Sequence, residues 1–149
     1  MLDVEAIRRS LPHRYPLLMV DRVVEQEDGR VVALKNVTVN EPCFQGHFPE
    51  PLEAVMPGVL ILEAMAQTTA FLIPQGDEGK PREGYLVGVE KARFRRKVVP
   101  GDRLRIEAER TRAKRRLLQA DVRATVDGEL AATATLSVLI AEEPAEGRS

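Results

Sequence analysis

Apolar and polar residues alternate through most of this chain, and the places where the alternation breaks mark its elements. Val4, Ile7 and Leu11 recur at helical spacing behind Asp3, a helix-capping residue type, and predict a short helix over Val4–Leu11. Pro12 and Pro16 end it and make Leu11-Pro12-His13-Arg14-Tyr15-Pro16 a rigid loop. Leu17–Glu27 and Arg30–Asn40 read as two strands joined at Asp28-Gly29, a strong two-residue hairpin signal. An irregular segment, Glu41–Met56, follows and carries Pro42, Gly46, Pro49 and Pro51. Beyond a polar loop, Pro74–Gly84, the strand pattern returns at Tyr85–Phe94 and turns at Pro100-Gly101-Asp102. Leu104, Ile106 and Ala108 then alternate with Arg105, Glu107 and Glu109, as a half-buried strand requires. Leu117–Val126 and Glu129–Ile140 flank Asp127-Gly128, a second hairpin signal.

One run differs from all the others. VLILEAMAQTTAFLI, residues 59–73, is apolar around nearly the whole helical circumference, and Pro57 suits the first helical position. A helix of that kind calls for burial on all sides, and its fifteen residues would span about 22 Å. Two strands before it and about four after it predict an α+β fold in which an antiparallel sheet wraps one long buried helix. Residues 1–141 are expected to form one domain and 142–149 a frayed, flexible tail.

Composition narrows the functional classes. The chain has 149 residues, 44% hydrophobic and 30% charged, enough for one well-packed core. MLDVEAIRR at the start lacks the basic and apolar stretches of a secretory signal, and the long apolar run is too short for a membrane span and is interrupted by Glu63 and Gln67. Cys43 is the single cysteine, which fits a reducing cytoplasm. With His13, His47 and Cys43 as its only soft ligands, at no ligand-like spacing, the chain is expected to bind no metal, and no cofactor is called for. Charge is unevenly placed. From Lys91 to Arg116 twelve basic residues stand against Asp102, Glu107 and Glu109, a net +9, which leaves −10 elsewhere in a chain of net charge −1. An acidic partner, nucleic acid or an acidic carrier protein, would explain this; so would strand faces that are merely arginine-rich. The low aromatic content argues against a nucleic-acid binder.

Candidate chemistry concentrates between Gly46 and Gln67. His47, in FQGHFP, can serve as a base near neutral pH, although a single loop histidine is more often structural. Glu63 is the only charged side chain in the apolar helix. An ionised carboxylate buried there would be costly, so burial favours the protonated form that a general acid needs. Gln67 lies one turn on, on the same face, which weighs against a glutamate that simply looks into solvent. At the helix start, Met56-Pro57-Gly58-Val59, backbone N–H groups lack internal partners, and Gly58 has no side chain to block the approach of an oxyanion. A base, a neutral acid and an oxyanion donor are what dehydration of a 3-hydroxyacyl thioester requires.

These residues resemble a known family, the Z-type 3-hydroxyacyl-[acyl-carrier-protein] dehydratases of bacterial fatty-acid synthesis. The matching motifs are LPHRYPLLMVDRV (11–23), NEPCFQGHFP (40–49), MPGVLILEAMAQ (56–67) and KARFRRKVVPGD (91–102). The resemblance implies a hot-dog fold, with His47 as the catalytic histidine and Glu63 as the catalytic glutamate, meeting across a homodimer interface. It also implies that the Gly58 N–H binds the thioester carbonyl, that the Val55 carbonyl orients the histidine and that Gln67 steadies the acid. The implied partner is acyl carrier protein bearing its acyl chain on phosphopantetheine, docked by Arg93, Arg95, Arg96, Arg112, Lys114, Arg115 and Arg116. Further assembly into a trimer of dimers is implied as well. Glutamate at the acid position, where the related A-type enzymes carry aspartate, points to the Z type. One departure stands out: the family usually reads HFPGxPxMPG, whereas this chain reads HFPEPLEAVMPG, two residues longer and with Glu50 in place of glycine. Added loop length costs little entropy, so a surface bulge should absorb it. The rival readings are a hot-dog thioesterase and a non-catalytic acyl-binding protein.

Overall fold

The structure is a computed structural model that describes residues 1–75 and 83–142. Apart from Glu142, the expected tail lies outside the described residues, as does most of the loop between Pro74 and Gly84. Helix α1 (Val4–Ser10) is capped by the Asp3 carboxylate, which accepts the Ala6 N–H at 2.9 Å. Strands β1 (Arg22–Glu27) and β2 (Arg30–Asn36) form the first hairpin. Helix α2 (Gly58–Ala70) then precedes β3 (Gly84–Phe94), β4 (Arg103–Lys114), β5 (Leu117–Val126) and β6 (Glu129–Ile140). All pairings are antiparallel, in the order β1-β2-β4-β5-β6-β3, which leaves β1 and β3 as the edges.

The turn chemistry follows the sequence. Gly29 has φ +77°, and Asp127 and Gly128 are both left-handed, at +49° and +80°. The turn between β4 and β5 has no such residue: Arg115 itself takes φ +55°, so the basic cluster Arg112–Arg116 forms a hairpin tip. The inward residues of the strands, Leu104, Ile106, Leu118 and Leu136 among them, are fully buried and pack with Ile61, Ala64 and Met65 of α2 in one core. Each large apolar side chain contributes about 1.5–3 kcal/mol by leaving water. Thr68 and Thr69 are buried in the helix because their hydroxyls donate to the carbonyls of Ala64 and Met65, both at 2.9 Å.

Three expectations need correction. Residues 17–21 are not strand: the backbone of Leu17 and Met19 is bound to a helix side chain, and only Asp21 donates to β2, at Leu34. Met19 N–H donates to Gln67 Oε1 at 2.8 Å, and the Leu17 carbonyl accepts from Gln67 Nε2 at 2.7 Å. The second strand ends at Asn36, after which Val37 exchanges hydrogen bonds with Gly101 and Asp102 at a turn. The helix begins at Gly58, with Pro57 as its cap and not in the first helical position, and closes at Ala70, three residues before the end of the expected run. One sheet covers one side only: Val59 is 71% exposed, and Leu62, Glu63 and Ala66 below it are half-buried.

Candidate active site

His47 reaches its place through a segment anchored at both ends. At its start, Lys35 is 6% exposed and donates to Glu41 Oε1 at 2.6 Å and to the Asn36 carbonyl at 3.0 Å. Pro42–Gln45 then form a 3-10 turn, and the His47 N–H donates to the Cys43 carbonyl at 2.9 Å. At its end, Met56 N–H donates to the Val98 carbonyl at 2.7 Å. Between these anchors residues 50–53 bulge into solvent, tied by Glu53 to Lys97 at 2.9 Å. The chain then returns, so that the Val55 carbonyl lies 2.6 Å from His47 Nδ1. A carbonyl can only accept, so this contact puts the ring proton on Nδ1 and leaves the Nε2 lone pair available as a base. Phe48, at φ +57°, stacks on the imidazole with ring centroids 4.2 Å apart.

The start of α2 lies beside this segment. Its first helical bonds run from Leu60 and Ile61 to the Pro57 carbonyl, so the N–H groups of Gly58 and Val59 precede the ladder. A groove of about 460 Å³ opens there, lined by Val55, Met56, Gly58, Ile61, Phe94 and residues 95–98. The Phe94 ring sits over Gly58: a β-carbon at that position would stand 3.0–3.2 Å from three ring atoms. A larger concavity, on the outer sheet face around Asp121 and Arg123, has no residue of either helix.

Glu63 lies on the open face of α2. Its side chain is 31% exposed in the single chain, which corrects the expectation of a buried carboxyl. Its Oε1 accepts from Gln67 Nε2 at 2.7 Å. Gln67 is 1% exposed and fully committed, with its carbonyl oxygen on the Met19 N–H and its amide nitrogen on Glu63 and the Leu17 carbonyl. Sequence reasoning assigned no role to His13, yet its Nε2 lies 3.5 Å from Glu63 Oε1. Its position between two prolines in LPHRYP marks a rigid loop; nothing in the pattern shows that the loop folds onto a helix fifty residues away.

Within one chain, then, His47 meets Val55, and Glu63 meets Gln67 and His13. Among the described residues no hydrogen bond or ion pair joins His47 to Glu63. The basic residues are divided as well. Arg93 and Arg95 pair near Thr133 and Ala131, close to the helix start, whereas Arg116 bonds Ile140 at the other end of β6, about 24 Å away along the strand. Arg96 is engaged by Asp102 at 3.4 Å and Glu129 at 3.1 Å.

A family model described as the FabA-like domain matches residues 11–135. The 3-hydroxyacyl-[acyl-carrier-protein] dehydratase FabZ of Oceanobacillus iheyensis is 52% identical over 141 residues, covering 94% of this chain and 99% of that protein. The chain belongs to the FabZ family. FabZ of Listeria monocytogenes is 48% identical over 145 residues, 97% of this chain and 99% of that protein. Among solved structures, the dehydratase heterocomplex ApeI:P from Xenorhabdus doucetiae superposes with a TM-score of 0.75 at 18% identity, over 92% of this chain and 91% of that one. A hypothetical thioesterase with coenzyme A from Streptococcus pneumoniae gives 0.63 at 15%, over 83% and 88%. These structures share with this chain its hot-dog fold, a sheet curled around a central helix.

Proposed function

We propose that this chain removes water from 3-hydroxyacyl groups held as thioesters on acyl carrier protein, giving trans-2-enoyl thioesters for fatty-acid biosynthesis in the cytoplasm. The observation that carries this reading is identity of 52% with a FabZ dehydratase over nearly the full length of both chains. His47 Nε2 takes the proton from C2, and the thioester oxygen gathers charge against the N–H of Gly58. Glu63, entering protonated, gives its proton to the 3-hydroxyl as the C3–O bond breaks, and the C2 electron pair becomes the double bond. Acid–base action of this kind is worth about 10²–10⁴-fold and one oxyanion donor about 10²–10³-fold. No cofactor enters the chemistry.

His47 of one subunit faces Glu63 of another in a homodimer. Support comes from the open face of α2, which carries Glu63, and from β3. The latter is an edge strand whose Tyr85, Leu86, Val87, Val89 and Phe94 are all exposed apolar or aromatic residues. The dimers assemble in threes. The carrier protein docks on the basic residues nearest the groove, Arg93, Arg95 and Arg96, while Arg112, Lys114, Arg115 and Arg116 form a second basic face that adds long-range attraction. Its binding weakens with added salt.

The test is one assay with 3-hydroxyacyl carrier substrates of several chain lengths, reading enoyl product and free carrier thiol together. Enoyl product with intact thioester supports the dehydratase; free thiol without enoyl product would make the chain a thioesterase and overturn the reading.

A further inference from the structure

We propose that His13 is a positioning residue for Glu63: together with Gln67 it aims N–H groups at one carboxyl oxygen, Oε1, and leaves Oε2 to carry the proton that is transferred. This inference rests on the dehydratase reading and adds a residue to its acid.

The loop that bears His13 is held rigidly. The Arg14 guanidinium donates to the carbonyls of Leu11 at 2.8 Å, His13 at 2.7 Å and Arg8 at 2.9 Å, tying the loop to the end of α1. That clamp leaves the imidazole against α2, with Nε2 3.5 Å from Glu63 Oε1. Its Nδ1 is buried and has no hydrogen-bond partner among the described residues. A neutral imidazole carries one N–H, and the two positions are unequal here. A proton on Nδ1 would bury a donor with nothing to accept it and turn the Nε2 lone pair toward a carboxyl oxygen. A proton on Nε2 faces that oxygen and leaves only a buried lone pair, the lesser cost.

Gln67 makes the assignment sharper. Its own orientation is fixed by Met19 and Leu17, so it presents an N–H, not an oxygen, to Glu63 Oε1. With a second N–H from His13, Oε1 is an acceptor only, and the acidic hydrogen belongs on Oε2. When that hydrogen leaves with the hydroxyl, the same two N–H groups face the new carboxylate charge. At 3.5 Å the His13 contact is longer than an ordinary hydrogen bond, and such contacts shorten when substrate closes the site.

A consequence is that the two histidines of this chain hold opposite tautomers, His47 with its proton on Nδ1 and His13 with its proton on Nε2. Two-bond ¹H–¹⁵N spectra of the ¹⁵N-histidine-labelled protein contain two rings only, and His13→Leu assigns them. The expected spectrum has one ring of each tautomer; His13 in the Nδ1–H form would overturn the proposal, and this readout stands whether or not a variant is active. In hydration of crotonyl thioester, His13→Leu should lower kcat about 10- to 100-fold with KM little changed, and His13→Gln, whose amide N–H occupies the place of Nε2, should restore most of it. A His13→Leu enzyme within twofold of wild type, or a His13→Gln enzyme no better than His13→Leu, would also overturn it. Wild-type protein without hydratase activity would instead remove the dehydratase reading, leaving the tautomer spectrum to judge the geometry alone.

Discussion

His47 and Glu63 are each held by hydrogen bonds to fixed groups. The Val55 carbonyl sets the tautomer of one, and the Gln67 amide, itself locked by the backbone of residues 17–19, marks one oxygen of the other. Gly58 matters for what it lacks. Gly58→Ala would push a methyl against the Phe94 ring, 3.0 Å away, and crowd the N–H groups at the helix start. Thioester hydration should then fall about 10- to 100-fold in kcat while the melting temperature changes little, measured by steady-state kinetics beside a thermal melt. These three residues were legible in the sequence because each breaks a local rule: a charge in an apolar helix, a glycine at a helix start, a histidine in a proline-rich loop. His13 was not, because its meaning lies in a contact between parts of the chain fifty residues apart.

At the scale of elements, the segment from Glu41 to Met56 is the least regular and the most firmly tied. Lys35 and Glu41 form a nearly buried pair at its root, 2.6 Å apart. Removing one partner of such a pair leaves a charge without water, at a cost of about 3–5 kcal/mol when burial is complete. Glu41→Gln leaves the ammonium with the Asn36 carbonyl at 3.0 Å, and Lys35→Met leaves the Glu41 carboxylate with the Thr38 N–H at 3.3 Å, so each should lower the melting temperature. An unchanged melt for either variant would refute this. The two-residue insertion was visible in the sequence, and its path follows from the anchors: exposed residues 50–53 take up the slack while Val55 still meets His47. Residues 17–21 were misread as strand because their alternation suits a strand, while the Leu17 carbonyl and Met19 N–H bond a side chain that pattern cannot foresee. On the outer sheet face, Arg30 bridges Glu25 at 2.7 Å and Glu107 at 2.9 Å. Its hydrogen bond holds Glu25 below the usual carboxylate range. For Glu107 burial works upward, but bonds from Arg30 and Arg105 outweigh it and the net direction is down. A depressed folded-state value gives stability that is present above the ordinary carboxylate range and lost as pH falls through the folded values. Arg30→Met should therefore reduce stability at neutral pH and make the loss below about pH 4 shallower. Parallel pH–stability curves for the two proteins would contradict it.

Over the whole molecule, a sheet of six strands covers one side of a largely apolar helix, and what it leaves open is where Glu63 lies. The sequence pattern announced the helix and the number of strands. It did not reveal that the cover is half complete, because periodicity reports that a surface is apolar and not which chain buries it. Nor did it show that the basic stretch would be split between two ends of β6, since neighbours in sequence diverge along a strand about 3.4 Å at a time. The edge strand β3 and the open face of α2 are where the proposed second copy of the chain would pack, and a two-fold pairing would bring the His47 of each to the Glu63 of the other.

That exchange can be measured with two inactive proteins. His47→Ala and Glu63→Gln are each expected to lack thioester hydratase activity while keeping the fold. Mixed one to one, dissociated and reassembled, half the dimers are hybrids, and each hybrid holds one site with His47 and Glu63 both intact. The shared-site account predicts recovery of about one quarter of wild-type activity. No recovery, with hybrid dimers demonstrated by native mass spectrometry, would contradict it.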